Sequence, residues 1–554
     1  MAQGGQQDVY VQMISAAPQP GWDPETIVSG FLLASANFTG DHAIARKYLT
    51  QSAAKAWRPG SSVAEFAGTP TATANSVQGD TVTVQVTGNL LGTLSEDGQY
   101  QAAEKGTIPG PWNFTVVRVN GQWRIANPPD ELLFSKRDVN WTFRSRDLYF
   151  FDPSLSVLVP DPVYVPAEVT SQQLVAHLVE ALQRGPDGWL AGATKTAFPP
   201  GTVRLGTSVT GNTATVNLGG QVRATGAQQR ERMAFQLLET LASAPAYQQP
   251  DGTSIQSVVF EINGRPVHMP CATGQPPELQ LSLCQPPVPP APGSRAYYID
   301  SKGRVATLSS ERPDNAVPGP SGTGQLMFDT IAVSPDQMSV AGSSDGVLYT
   351  GGLTRNGSLT RRLAATITTL SWDSAGDLWV AGQVGGRAQV WWLDQGGRPV
   401  PVSVPKPLGP VTALRVAPDG VRVALVTGSG GGARLWLAAI VRSGNHASIG
   451  NPVPIGTDIA DFTGLTWYDT GDVIALTQPP SGSELYEVPV DGGPSRPIAT
   501  ESGTVSIAAS GDGQLVAARS DHALIQLPGP GGSIWRPAGS GQFVVHGRAP
   551  VYPG

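Results

Sequence analysis

Apolar and polar residues follow one repeated pattern in the second half of the chain. A full copy covers residues 411–427, VTALRVAPDGVRVALVT, in which two runs rich in valine flank Asp419-Gly420. Such runs around Asp-Gly predict a β-hairpin, because a type I′ turn needs positive φ at both central residues. Four more copies repeat this order of strand, turn and strand at residues 331–342, 370–382, 465–477 and 505–519.

The spacing of the copies predicts a β-propeller. They recur at intervals of roughly 35–50 residues, which is typical of propeller blades rather than of helical repeats. A further hairpin is predicted within residues 295–308, and strands without a blade of their own are predicted at 542–546 and 550–552. C-terminal strands often close a propeller by completing its first blade. We therefore predict a six-bladed all-β propeller over residues 293–554, with five or seven blades as alternatives.

Helix signals precede strand signals between residues 22 and 135. Asp23-Pro24 predicts the start of a helix, a second helical pattern includes Ile44, Tyr48 and Leu49, and Thr50 can cap a third helix. Alternation over residues 81–86 and the turn at Asn120-Gly121 predict the strands. Helices followed by a curved sheet resemble the NTF2-like fold, so we predict an α+β domain of that kind.

A second α+β domain is predicted over residues 145–290. Thr170 and Gln173 form a capping box before one amphipathic helix, and a second amphipathic helix contains Leu237. The dipeptides Gly211-Asn212 and Asn263-Gly264 predict turns between strands. Two helices on one small sheet account for this pattern.

Composition excludes some classes of function. The chain has 554 residues, so about three domains are expected. A net charge of −7 and a pI near 5.5 argue against a nucleic-acid-binding protein. Since no run of 18 apolar residues exists, no membrane-spanning helix is expected.

The first 21 residues consist largely of Gln, Gly, Ala and Pro, and they predict a flexible tether that reaches roughly 25 Å as a coil. Residues 1–5 have neither a basic segment nor an apolar one. If the protein is exported, we therefore expect that its signal peptide has been removed and replaced by a start Met.

The two cysteines, Cys271 and Cys284, lie close together in a proline-rich stretch, and the second Cys pair of a zinc site is missing. A local disulfide in an oxidising compartment is the preferred interpretation. Two free thiols in a cytosolic protein are the alternative.

Motifs that carry chemistry are largely missing, and we predict no catalytic residue, cofactor or metal. The G-x-S-x-G match at residues 342–346 lies between two strands, whereas a nucleophile elbow leads into a helix. The glycine run at 428–432 lacks the Lys of a P-loop and is interpreted as a hairpin tip. Asp41 and His42 are interpreted as a solvated helix cap rather than an active site.

The tryptophans of the repeats are expected to pack between blades: Trp372, Trp379, Trp391, Trp392, Trp436 and Trp467.

The second domain resembles the GerMN domain of sporulation and germination proteins. It contains LYFFDP, LVPDPVYVP, LVEALQRGP, AFPPGTVRL, ATVNL, LLETLASAP and VVFEINGRPV in that order. With GWDPETIVSGFLLASANFTGDHAIARKYLT before it, the repeats after it and APVYPG at the end, nearly the whole chain resembles the actinobacterial LpqB lipoproteins. The resemblance implies a secreted protein that is lipidated on a cysteine after the signal peptide and held at the outer face of the plasma membrane. The sequence departs from that pattern because the lipidation cysteine is absent.

The resemblance also implies a partner, the extracytoplasmic sensor domain of the MtrB histidine kinase in the MtrA/MtrB two-component system. We therefore predict a non-enzymatic, lipid-anchored accessory protein that modulates such a sensor through its GerMN-like and propeller domains. The alternative is a cell-wall module that binds or processes glycan or peptide in an NTF2-like or propeller cleft. Hydrolysis by such a module would require paired carboxylates around the cleft.

Overall fold

The computed structural model describes residues 16–60, 62–103, 112–243, 254–289, 293, 295–308, 315–528, 532–539 and 544–554. The chain divides into two compact units. The first unit comprises Met1–Arg144 with Pro166–Glu168, and the second comprises Ser145–Val165 with Val169–Gly554. Residues 1–15 of the predicted tether lie outside the described residues.

The first unit begins with helices and continues as two four-stranded sheets, in the order that the sequence predicts. The helices are α1 (Pro24–Ser35), α2 (Thr39–His42), α3 (Gln51–Ala56) and α4 (Lys136–Thr142). The strands are β1 (Ser62–Phe66), β2 (Thr71–Gln78), β3 (Thr81–Thr87), β4 (Leu90–Ser95), β5 (Tyr100–Ala102), β6 (Trp112–Val119), β7 (Gln122–Ile125) and β8 (Leu132–Ser135). The sheets have the strand orders β5-β4-β1-β8 and β2-β3-β6-β7.

Side chains cap the helices of the first unit as predicted. The Asp23 carboxylate accepts a hydrogen bond from the Thr26 N–H at 2.8 Å, and Thr50 caps α3. The predicted helix through Ile44 is instead a single 3₁₀ turn, Ala45–Tyr48. Asp41 and His42, the last two residues of α2, have left-handed backbone angles, so α2 cannot continue into this turn as one helix.

The interpretation of His42 as part of a solvated cap is wrong. Its side chain is buried, its Nδ1 lies 2.9 Å from the Ser35 carbonyl oxygen, and its ring centre is 4.5 Å from that of Phe38. Burial lowers the pKa of His42, so the neutral form is favoured. Asp41 is exposed, as the interpretation requires, and it pairs with Arg46 at 2.7 Å.

The second unit begins with an α+β region, residues 145–165 and 169–289, which we call the middle domain. Its helices are α5 (Ser171–Arg184), α6 (Ala227–Ala242) and the short α7 (Leu281–Cys284). The strands are β9 (Phe143–Phe151), β10 (Leu158–Pro166), β11 (Thr202–Thr210), β12 (Thr213–Gly220), β13 (Ser257–Ile262) and β14 (Arg265–Pro266). Strands β9 and β10 pair, and the other four form a sheet in the order β11-β12-β13-β14.

Leucines of α5 and α6 pack with the middle-domain strands in one core. Leu178 and Leu237 join Val216 and Phe260 there, and all four side chains are buried. Thr170 and Gln173 form the predicted capping box at the start of α5. Cys284 belongs to the same core, and the structure places a disulfide between it and Cys271, with their Cα atoms 4.9 Å apart.

The remainder of the second unit, Tyr297 to Gly554, is built from strands, and we call it the propeller domain. Its described strands form six successive antiparallel sheets, β37-β15-β16 and then β17–β20, β21–β24, β25–β28, β29–β32 and β33–β36. The strands are β15 (Tyr297–Asp300), β16 (Val305–Thr307), β17 (Thr330–Val333), β18 (Ser339–Ser344), β19 (Val347–Gly352), β20 (Leu359–Ala364), β21 (Thr366–Trp372), β22 (Leu378–Val384), β23 (Arg387–Leu393), β24 (Pro399–Pro401), β25 (Val411–Val416), β26 (Arg422–Thr427), β27 (Arg434–Ser443), β28 (His446–Ile455), β29 (Phe462–Trp467), β30 (Asp472–Thr477), β31 (Glu484–Pro489), β32 (Arg496–Ile498), β33 (Thr504–Ala509), β34 (Leu515–Arg519), β35 (Leu524–Leu527), β36 (Arg536–Pro537) and β37 (Gly547–Val551).

The C-terminal strand pairs with the first strand of the propeller domain. Tyr297 in β15 stands opposite Val551 in β37, in antiparallel register. His546, just before β37, bridges to Ala523 beside the last sheet. The pairing next to residues 295–308 is therefore confirmed, while residues 542 and 543 of the predicted strand lie outside the described residues.

All five repeats form the predicted hairpins, but their turn differs from type I′. Gly420 has a φ of +72°, whereas Asp419 lies outside the left-handed region. The Asp419 carboxylate instead accepts hydrogen bonds from the N–H groups of Val421 and Arg422, both at 2.8 Å. Because the aspartate side chain holds the turn together, a single left-handed residue is sufficient.

Replacing both Cys271 and Cys284 by serine should lower the free energy of unfolding by about 3 kcal/mol, because a cross-link across a loop of this length restricts the unfolded chain. Chemical denaturation of the full chain, followed by circular dichroism, measures the change. A reducing agent should produce the same loss in the wild type and no loss in the double variant. Two free thiols in unreduced, denatured wild-type protein would contradict the bond.

Candidate functional site

The middle domain and the propeller domain share a hydrophobic core, and we call this contact the junction. Trp189 and Leu190, between α5 and β11, pack in one cluster with Val421 and Trp467 of the propeller domain. The side-chain amide of Asn451 also donates a hydrogen bond to the Gly188 carbonyl at 2.8 Å. Since core packing is dense, these contacts hold the middle domain in one position on the propeller domain.

Arg422 lies at the centre of the junction. Its side chain and that of Asp419 are both 0% exposed, and Arg422 Nε donates to Asp419 Oδ2 at 2.7 Å. The guanidinium carbon lies 5.2 Å from the ring centre of Trp467. Desolvating a charge costs several kcal/mol, and the Asp419 carboxylate and the Trp467 ring face offset part of that cost. Nη1 and Nη2 of Arg422 are buried without a hydrogen-bond partner among the described residues.

Two carboxylates of the middle domain lie within electrostatic range of Arg422. Asp161 is fully buried and its Oδ2 accepts the Asp187 N–H at 2.7 Å, while its Oδ1 has no hydrogen-bond partner in the part of the chain that the structure describes. Burial raises the pKa of Asp161 to about 7. Burial also raises the pKa of Asp147 to about 6, and Arg422 opposes that rise. Burial therefore favours the protonated form of both carboxyl groups more than in an exposed aspartate.

A second ion pair connects the junction turn to the neighbouring sheet. The buried Asp373 carboxylate pairs with Arg442 and accepts a hydrogen bond from Trp379 Nε1 at 2.8 Å. Arg442 Nη1 in turn donates to the Gly420 carbonyl at 2.8 Å. Arg442 therefore connects the turn that carries Asp419 to Asp373 of the adjacent sheet.

The predicted packing of tryptophans between sheets is confirmed for two residues. Trp372 Nε1 donates to the Ala332 carbonyl at 3.3 Å, and Trp467 Nε1 donates to the Arg415 carbonyl at 3.0 Å. In each case the bond crosses from one sheet to the preceding one. The indole N–H groups are therefore satisfied while both rings pack in buried apolar clusters.

Two depressions open where the repeat turns lie. The first is a cavity of about 120 Å³ lined mainly by apolar side chains of the innermost strands, together with Arg415, and we call it the channel mouth. The second is a polar groove between the sheets β17–β20 and β21–β24, whose lining includes Asp336, Asn356 and Asp394. Neither is lined by Asp147 or Asp161, so these two carboxylates lie apart from both depressions.

The motifs examined in the sequence do not form a catalytic arrangement. Ser343 and Ser344 are buried in β18, which turns directly into β19, so the predicted strand–turn–strand context of G-x-S-x-G is confirmed. Residues 428–432 form the tip between β26 and β27, as predicted. The described ranges contain no group of three or more His, Cys, Asp or Glu side chains that could hold a metal ion. In those same ranges, no helix has the length and apolarity needed to cross a bilayer.

Local sequence patterns did not indicate the residues that form the junction and the channel mouth. The pattern predicts Asp419 only as a turn residue, although Arg422 three positions later can pair with it across the turn. Arg415 is the one charged residue in the largely apolar stretch TALRVA, a pattern that indicates a cation drawn partly out of solvent, and its side chain is half-buried. The junction itself joins segments far apart in the chain and has no local pattern.

Three family models match the chain in succession. "Lipoprotein LpqB, N-terminal domain" matches residues 17–140, "Sporulation and spore germination" matches 147–268, and "Lipoprotein LpqB beta-propeller domain" matches 303–553. The chain is 30% identical over 610 residues to lipoprotein LpqB of Thermobifida fusca (strain YX), covering 99% of this chain and 93% of that relative. Lipoprotein LpqB of Streptomyces avermitilis is 30% identical over 589 residues, again covering 99% of this chain and 93% of the relative.

A solved nidogen/laminin complex contains a chain that is similar to 47% of this one. The match covers 99% of that chain at 11% sequence identity, with a TM-score of 0.36. Because the score is low, this similarity carries no argument about function.

Replacing Arg422 by methionine should destabilise the chain by about 3–5 kcal/mol, because Asp419 is then left buried without its counter-charge. The double variant Arg422→Met, Asp419→Asn should recover most of the loss, since no buried charge remains. Urea denaturation followed by tryptophan fluorescence measures both, and the exposed Arg387→Met serves as the matched control. Equal stability of Arg422→Met and wild type would contradict the role of the pair.

The stability of the junction should fall as pH rises toward neutrality. The Asp161 carboxyl titrates at about 7 in the folded chain against an ordinary pKa of 3.8, and the charges that face it are Asp187, Asp147 and Arg422. A raised folded pKa gives a contribution that is fully present below the unfolded pKa and lost as pH rises through the folded value.

Asp161→Asn should remove that contribution. The free energy of unfolding of the wild type relative to Asp161→Asn should therefore decline between about pH 4 and pH 8, the interval that spans both pKa values. Denaturation of both proteins at a series of pH values measures the difference. A difference that stays constant or grows with pH would show that Asp161 is not buried as described.

Proposed function

The chain belongs to the LpqB lipoprotein family, and on that premise we propose that it is a lipid-anchored extracytoplasmic accessory protein that modulates an MtrB-like membrane histidine kinase. Its partner is the sensor domain of the kinase, and the process it affects is cell-envelope and division signalling. The observation that carries the proposal is the junction, because it makes the middle domain and the propeller domain one preassembled surface. Preassembly favours protein binding, since less conformational entropy is lost on association.

Anchoring at the outer face of the plasma membrane supports the same proposal. A lipid tether confines the protein near any membrane-embedded partner and raises the effective concentration of the binding surfaces. A modest affinity between this protein and the sensor domain of the kinase is then sufficient for binding at the membrane. The native protein must carry the lipid for this confinement to occur, as expected for a member of a lipoprotein family.

We propose a finer architecture to accompany this function. The six sheets of the propeller domain are six blades of one ring, and the pairing of β37 with β15 supports ring closure. The domains extend over residues 22–135, 145–290 and 293–554, and the first has the NTF2-like cone. Propellers expose broad and rigid loop faces, which suit protein contacts.

The proposed activity is binding without turnover. Burial raises the pKa values of four carboxylates to about 6 or 7, and none of the four lines the channel mouth or the polar groove: Asp147, Asp161, Glu239 and Asp472. The polar groove favours a second candidate function, in which the propeller domain binds cell-wall glycan or peptide. Its carboxylate and amide side chains, including Asp336, Asp394 and Asn356, can accept and donate hydrogen bonds to such ligands.

The test tethers the protein and the kinase to one supported bilayer and measures autophosphorylation together with association by fluorescence energy transfer. We expect wild type and Arg387→Met to associate with the kinase and change its autophosphorylation rate. Arg422→Met should weaken both effects, because it loosens the junction. Unchanged autophosphorylation without association would contradict the proposal, and recovery of wall fragments with the protein would then favour the second candidate.

A further inference from the structure

Arg415 is a half-buried cation in the channel mouth, and its hydrogen-bond acceptors include no carboxylate. Its Nη1 donates to Thr369 Oγ1 at 2.7 Å and to the carbonyls of Leu414 and Leu370 at 2.8 and 3.0 Å. These acceptors are neutral. In the part of the chain that the structure describes, Arg415 forms no ion pair, and no Asp or Glu lines the mouth.

Three other arginines of the propeller domain, unlike Arg415, form ion pairs with aspartates. Arg422 pairs with Asp419, Arg442 with Asp373 and Arg304 with Asp300. Burial lowers the pKa of Arg415 to about 10, which still leaves the guanidinium charged at neutral pH. A desolvated charge without a counter-ion is unfavourable by several kcal/mol, so an anion that enters the mouth would be stabilised there.

The walls of the mouth are suited to an apolar group. Trp372 and Trp467 line it, and their N–H groups are already bonded to backbone carbonyls. Leu370, Val416 and Ile507 add apolar side chains to the wall, and the C-terminal residues 550–554 form a further part of it. The cavity of about 120 Å³ is comparable in size to an engineered apolar cavity of about 150 Å³ that binds benzene. One small ring or one branched side chain is the matching occupant.

We propose that the channel mouth binds a carboxylate joined to a small apolar group, with Arg415 as the counter-charge and the two indole rings as the apolar walls. A C-terminal peptide residue and a free organic acid share this chemistry. Guanidinium groups bind carboxylates through charge-assisted hydrogen bonds, which are about twice as strong as neutral ones. The proposal is independent of kinase binding, because it concerns a small ligand within the propeller domain.

The experiment titrates the full chain with 3-phenylpropionate and with 3-phenylpropionamide, and follows tryptophan fluorescence and heat. The two probes share one carbon skeleton, and the acid carries a negative charge where the amide is neutral. The acid should therefore bind at least about tenfold more tightly, a difference of 1.4 kcal/mol. Arg415→Met should bring the acid down to the affinity of the amide. Arg387→Met, which removes an exposed arginine of the same domain, should behave as wild type.

A second pair of probes distinguishes the sources of the carboxylate. A tripeptide that ends in phenylalanine is compared with its C-terminal amide. Tighter binding of the free peptide than of phenylpropionate assigns the site to peptide termini, and the reverse order assigns it to small organic acids.

A further variant keeps the proposal testable if Arg415→Met fails to fold. Ile507→Phe retains the charge but fills the mouth, and it should abolish binding of acid and amide alike. Equal affinities for acid and amide, wild-type binding by either variant, or no binding of any probe to wild-type protein would overturn the proposal.

Discussion

The buried ion pair between Arg422 and Asp419 is the contact on which the second unit depends. Asp419 holds the hairpin turn through two backbone N–H groups, and the same carboxylate neutralises Arg422. Arg422 in turn lies over Trp467, whose N–H reaches the preceding sheet. The hairpin turn, the hydrogen bond between sheets and the contact with the middle domain therefore all depend on the ion pair between Arg422 and Asp419.

The charge of Arg422 gives the acidic residues of the junction a role in orienting the middle domain. An apolar contact would avoid the cost of desolvation, but it would tolerate many orientations of the middle domain. Asp147 and Asp161 respond to the charge of Arg422, and Asp161 also accepts the Asp187 N–H. Directional groups of this kind favour one arrangement, which is what a preassembled binding surface requires.

Local patterns were sufficient to predict most of the fold but not the junction. The five hairpins and the capped ends of α1 and α5 follow from neighbouring residues, so turn and capping rules identify them. The turn type was wrong because a side chain, rather than a second left-handed residue, completes it. His42 was misplaced because its burial depends on Ser35 and Phe38, which pack around it only after the chain reverses. The segments around Asp161, Trp189 and Trp467 are far apart in the sequence and come together only in the folded chain. No local sequence pattern therefore predicts the junction.

The most direct test of the account is the distance between the middle domain and the propeller domain in solution. Spin labels at the exposed positions Gln172 and Asn445 can be introduced as cysteines, because the chain has no free cysteine in its described part. Double electron–electron resonance should give one narrow distance distribution in the otherwise wild-type protein and a broad one after Arg422→Met. A broad distribution before Arg422 is changed would contradict a junction that holds the two domains as one body.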